Sequence, residues 1–196
     1  MCPVEAVEAL TTTLADGHPE PGARCTCRTA LIVEVPAAER VVGEHRRQLD
    51  HSGALGLPAH LTVLFPFVPH QDLGEAELRR CAEICAGVPA FDVALSETSW
   101  FGEDVVWLAP DDPSPLRALT AAFAAAFPAY PPYGGAFDSV VPHLTIGDHG
   151  DIDVLQAAEL AVLQGLPVTQ QVVSVSLWSG SDSADSWVRL QRFPLG

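Results

Sequence analysis

The chain has 196 residues, 48% hydrophobic and 18% charged, which is enough apolar material for one domain or two small lobes around a shared core. Its formal net charge is −15, with 25 acidic residues against ten basic ones, and all ten are arginine. Long nucleic acid is held mainly by clustered cations on its phosphates, so this balance argues against a long duplex partner and leaves a small nucleotide or an RNA end.

No apolar run reaches membrane-spanning length, and Met1-Cys2-Pro3-Val4-Glu5 is acidic where a secretory leader is basic. A soluble, cytoplasmic protein is expected, without a membrane partner. Residues 1–27 read as an appendage, a short helical pattern over 4–14 followed by Gly17, Pro19, Pro21 and Gly22. The rest, 28–196, reads as one domain.

Within it, 29–35 is an apolar strand closed by Pro36, and 37–49 a helix with Val41, Val42, His45 and Leu49 near helical spacing. A strand over 61–65 stops at Pro66 and Pro69, and a helix over 75–86 ends at Gly87. Strands over 91–100 and 105–108 are joined by the turn Gly102-Glu103-Asp104. An Ala-rich helix over 115–127 has Ser114 as its expected cap. A Pro/Gly/aromatic loop over 128–141 leads into a strand over 142–146 and a helix over 153–164. Strands over 172–178 and 187–193 close the chain. The arginine pairs Arg46-Arg47 and Arg79-Arg80 are expected on solvated helix faces.

Cys25-x-Cys27 and Cys81-x3-Cys85 lack the two-residue gap usual in a four-thiolate zinc site, so small core residues and no metal are expected. The order of elements repeats: strand, helix, strand, helix, strand pair; then helix, strand, helix, strand pair. This predicts an α+β protein of two similar lobes of mainly antiparallel sheet, with outer helices and a central cleft.

The repeat carries a chemical motif. His60-Leu61-Thr62 and His143-Leu144-Thr145 lie 83 residues apart (143 − 60). On a strand, residues i and i+2 share a face, so His60 projects with Thr62 and His143 with Thr145, while the aliphatic neighbours point away. Paired about a pseudo-two-fold axis, two imidazoles and two hydroxyls would surround one small volume. Imidazole changes charge near neutral pH, so one ring can act as base while the other acts as acid. Hydroxyls donate to phosphate oxygens without adding negative charge. The set suits in-line displacement at phosphorus. The remaining histidines, His18, His45, His51, His70 and His149, lack such a frame.

The stretches 57–67 and 141–146 resemble the paired motifs of the two-histidine (2H) phosphoesterase superfamily, in its 2′-5′ RNA ligase-like branch. The resemblance extends to Val106-Trp107-Leu108-Ala109-Pro110, the Ala-rich helix and Pro131-Pro132-Tyr133-Gly134-Gly135-Ala136-Phe137, covering roughly 28–195. It implies a bilobal fold and metal-free, cofactor-free chemistry on 2′,3′-cyclic phosphates or 2′-5′ linkages. His60 and His143 would be the catalytic pair, with Thr62 and Thr145 on the phosphate; base and acid stay unassigned. Tyr133 on the entering loop and Phe67 after the first motif are the candidate substrate-binding rings. A binding module that holds a phosphorylated nucleotide or metabolite without turnover, and a same-fold enzyme recruited to small-molecule metabolism, are the alternatives.

Overall fold

The computed structural model describes residues 27–137 and 139–196, so all but the last residue of the expected appendage lies outside the described residues. Strand β1 (Arg28–Glu34) buries every residue from Thr29 to Val33 because both of its faces are covered. A 3-10 turn leads into helix α1 (Glu39–Leu49) and the single turn α2 (His51–Ala54). Strand β2 (His60–Leu64) follows, then α3 (Glu75–Ala86), β3 (Phe91–Phe101), β4 (Val105–Pro110) and α4 (Ser114–Ala126). Strand β5 (Leu144–Gly147), α5 (Ile152–Leu163) and strands β6 (Val168–Val172), β7 (Ser174–Gly180) and β8 (Val188–Pro194) complete the chain.

The strands form two four-stranded antiparallel sheets, ordered β2-β1-β7-β8 and β5-β4-β3-β6. The expected α+β architecture of two similar lobes holds, but the lobes are not the two halves of the chain. The β3–β4 hairpin belongs to the second sheet, and the closing pair β7–β8 returns to the first. Helices are exchanged too: α1 packs on β5 of the second sheet, and α4 packs on β2 of the first. Each sheet therefore depends on elements from the other half, and Leu31, Leu61, Leu108, Phe123, Leu144 and Phe193 join a single core.

Two local expectations change. Strand β6 extends the second sheet beside β3 over residues for which the sequence predicts no element, between the helix ending at 164 and the strand starting at 172. Ser114 is the first helical residue rather than the cap, and its N–H donates instead to Asp112 Oδ1 (2.9 Å).

The motif strands β2 and β5 are the edge strands of their sheets, and they meet. Gly147 lets the helices α1 and α5 close on β5. A Cβ there would lie 2.7 Å from Leu155 Cδ2 and 3.0 Å from Leu49 Cβ, so β5 runs directly against the end of α1. Among the described residues, no helix is long and apolar enough to cross a membrane.

Candidate active site

His60 opens β2 and His143 stands just before β5. The aliphatic residues between and after them are buried: Leu61, Val63, Leu144 and Ile146 all lie in the core. That burial turns His60, Thr62, His143 and Thr145 to the opposite faces, where the edge strands meet.

The two imidazoles are tethered in the same way. His60 Nδ1 lies 2.7 Å from the Pro58 carbonyl and His143 Nδ1 lies 2.8 Å from the Val141 carbonyl, each two residues upstream. A carbonyl only accepts, so Nδ1 carries the proton and the neutral ring keeps its lone pair on Nε2. Burial lowers the proton affinity of both rings. For His60 it does so most strongly, helped by the Arg46 charge and opposed by the Pro58 hydrogen bond, down to about 3. For His143 burial outweighs the Val141 bond. The His143 charge bears on His60, which places the rings within electrostatic reach of each other. Without an anion between them, both rings are neutral at pH 7, ready to accept a proton.

Arg46 was expected on a solvated face, and the structure overturns that. Its side chain is 3% exposed and forms an ion pair with Asp50 Oδ2 (2.6 Å). Arg47, Arg79 and Arg80 are exposed as expected. The signal was present: Val42, Arg46 and Leu49 fall at i, i+4 and i+7, so Arg46 lies in the stripe that faces β5. Its guanidinium reaches the Thr145 carbonyl (2.8 Å) and the Pro58 carbonyl (3.2 Å), one from each motif.

Tyr133 comes to the first motif. Its N–H donates to the Phe65 carbonyl (2.6 Å), and its phenol is hydrogen-bonded with the Thr62 hydroxyl. Burial pushes the phenol above its ordinary value, against that bond. Its backbone is left-handed (φ 52°) and is followed by Gly134 and Gly135 at φ 64° and 80°, a turn that aims the ring back at β2. Phe137 meets the Tyr133 ring edge-on and is half exposed.

Phe67 does not reach the site. It is 2% exposed, because its N–H is held by the Thr29 carbonyl (3.0 Å) and its ring packs edge-on against Phe127 (4.9 Å) and Tyr130. Two rings that sequence reasoning did not assign frame His143 instead. Phe101 lies edge-on at 5.1 Å and Trp107 at 5.8 Å, and the two stack on each other. Trp107 pairs with Thr145 across β4 and β5, so strand register puts it on the histidine side. Glu34, opposite His60 on β1, is paired with Arg189 and Arg192.

Cys81 and Cys85 are fully buried, and burial pushes each thiol up to about 12, so they are neutral core groups. No cluster of three or more His, Cys, Asp or Glu side chains placed to hold a metal occurs among the described residues.

Twinned antiparallel sheets whose edge strands bring two tethered imidazoles and two threonines together are the architecture of a two-histidine phosphoesterase. The sequence profile of the 2′-5′ RNA ligase superfamily matches residues 33–184, and the chain belongs to that family. Among solved structures, E. coli LigT complexed with NADP+ is similar at 18% identity, over 88% of this chain and 99% of that one, with a TM-score of 0.54. TT0787 of Thermus thermophilus is similar at 17% identity, over 86% and 97%, with a TM-score of 0.56. These likenesses are of fold. No curated protein matches the chain. Membership of the family supports a phosphodiesterase-type activity in general.

Proposed function

We propose that the domain over 28–196 is a metal-independent phosphodiesterase that opens a 2′,3′-cyclic phosphate, or cleaves a 2′-5′ linkage, on a small nucleotide or RNA end. The observation that carries this reading is the matched tether, Nδ1 to the carbonyl at i−2 in both motifs, which leaves each Nε2 free beside a threonine two residues on. A bound phosphodiester anion favours one imidazolium between the rings. The neutral ring then removes a proton from the attacking water as its oxygen bonds to phosphorus. The bond from phosphorus to the leaving ribose oxygen breaks, and that oxygen takes the proton of the imidazolium. The rings end with their protonation exchanged and reset through solvent.

Thr62 and Thr145 donate to the non-bridging oxygens. Tyr133 is hydrogen-bonded with Thr62 and orients it, and its ring with that of Phe137 forms the wall for a base. That E. coli LigT is crystallised with NADP+ is in keeping with a nucleotide-sized ligand.

The test is turnover of nucleoside 2′,3′-cyclic phosphates and 2′-5′ dinucleotides with a chelator present. A phosphomonoester product is expected. His60→Ala and His143→Ala should each lower kcat by roughly 100- to 10,000-fold while circular dichroism stays unchanged. No product from any substrate, or activity abolished by the chelator, refutes the reading.

A further inference from the structure

The proposed mechanism leaves a buried ion pair, Arg46 with Asp50, unused. We propose that Arg46 is the positioning residue of this site: its single guanidinium holds the two His-x-Thr motifs in register and assigns the base role to His60. The chemistry of this inference rests on the two-histidine reading, whereas its geometry does not.

Arg46 Nη1 donates to the backbone carbonyl of Thr145 (2.8 Å), inside the second motif. Nη2 donates to the Pro58 carbonyl (3.2 Å), which also accepts the His60 Nδ1 proton (2.7 Å). One planar cation thus fixes the strand that carries Thr145 and the acceptor that fixes the His60 ring. The fork is itself held: Asp50 Oδ2 pairs with Nη1 (2.6 Å), Ser52 Oγ accepts from Nη2 (3.1 Å), and the Ser52 hydroxyl donates to Asp50 (2.9 Å). A Cβ on Gly53 would lie 2.5 Å from the Arg46 carbonyl oxygen, so α2 closes directly over this turn of α1. A lysine ammonium is a point charge and cannot span the same acceptors in one plane.

The charge also separates the roles of the rings. The groups bearing on His60 are Arg46 from α1, Glu34 from β1 and His143 beside β5. Close by, Glu39 accepts the Ala59 N–H and Tyr133 bonds Thr62. Arg46 shares the Pro58 carbonyl with the His60 ring nitrogen, so its charge sits against that imidazole and opposes its protonation, whereas at His143 burial acts against the Val141 bond. When a phosphate anion favours a single imidazolium, the proton therefore goes to His143, and His60 enters the reaction as the base.

Two variants test this: Arg46→Lys, and Arg46→Met combined with Asp50→Asn so that no carboxylate is left unpaired. In each, and in the wild type, NMR titration of the His60 ring from pH 8 to 2.5 is set beside the pH profile of kcat/KM on a cyclic phosphate. In the double variant the His60 midpoint and the acidic limb of kcat/KM should both move up by about one pH unit. In the lysine variant the charge stays, so the limb should hold while kcat falls by about tenfold or more from lost alignment. A folded double variant whose His60 midpoint does not rise overturns the base assignment. A lysine variant with wild-type kcat overturns the clamp, and it decides alone if the double variant does not fold. A wild-type protein that turns over no phosphodiester refutes the proposed function, and the NMR titration still decides whether Arg46 controls His60.

Discussion

The buried imidazole of His60 makes stability depend on pH, with a sign that can be worked out. In the unfolded chain the ring binds a proton near pH 6.5, and in the folded protein only near 3. Between these values the unfolded state holds a proton that the native state does not, so stability is full above 6.5 and is lost as pH falls toward 3. At about 1.4 kcal/mol per pH unit once the unfolded ring is protonated, the loss between pH 7.5 and 5 is about 2 kcal/mol. His143, shifted in the same direction, adds to the slope but is present in any His60 variant. Urea unfolding of the wild type and of His60→Gln at pH 7.5, 6.5, 5.5 and 5 isolates the term. The wild type should lose about 2 kcal/mol more than the variant across that range. Parallel lines would mean that His60 titrates alike in both states, and the burial argument would fall.

Phe67→Ala should cost about 3–5 kcal/mol in chemical denaturation because it opens a cavity among core aromatics, while KM of the folded variant stays at the wild-type value. A raised KM would return Phe67 to the binding site. Thr62→Val and Thr145→Val should each lower kcat/KM by roughly 10- to 100-fold, the worth of a hydrogen bond to a charged group, and Thr62→Val should also cost about 1–3 kcal/mol in urea unfolding because it strips the Tyr133 phenol of its partner. Gly147→Ala should destabilise by about 1–3 kcal/mol, since its methyl group meets Leu155 and Leu49, and a thermal melt within error of the wild type would contradict that packing.

Much of the site could be read from the sequence because its cause is local. Leu61 and Val63, like Leu144 and Ile146, are aliphatic at alternate positions, and period-2 geometry then dictates where His60, Thr62, His143 and Thr145 point. The same short-range logic located α3, whose pattern ends at Gly87, and the β3–β4 hairpin with its turn at Gly102. Arg46 lay in a legible stripe, but its charge suggested solvent; only Asp50 folding over it and two carbonyls from distant segments make its burial affordable.

What sequence alone determined is the face that each strand presents and the residue types available for acid–base chemistry, because both follow from spacing along the chain. Which strands pair, and hence that the lobes exchange hairpins and helices, was decided by long-range hydrogen bonding and burial. The tertiary structure likewise decided that Tyr133 turns in to Thr62 while Phe67 sinks into the core, since each ring's place is set by contacts with segments far away in sequence. The tether of each imidazole sits between these cases: its acceptor is only two residues away, but the fold decides that the strands β2 and β5 meet.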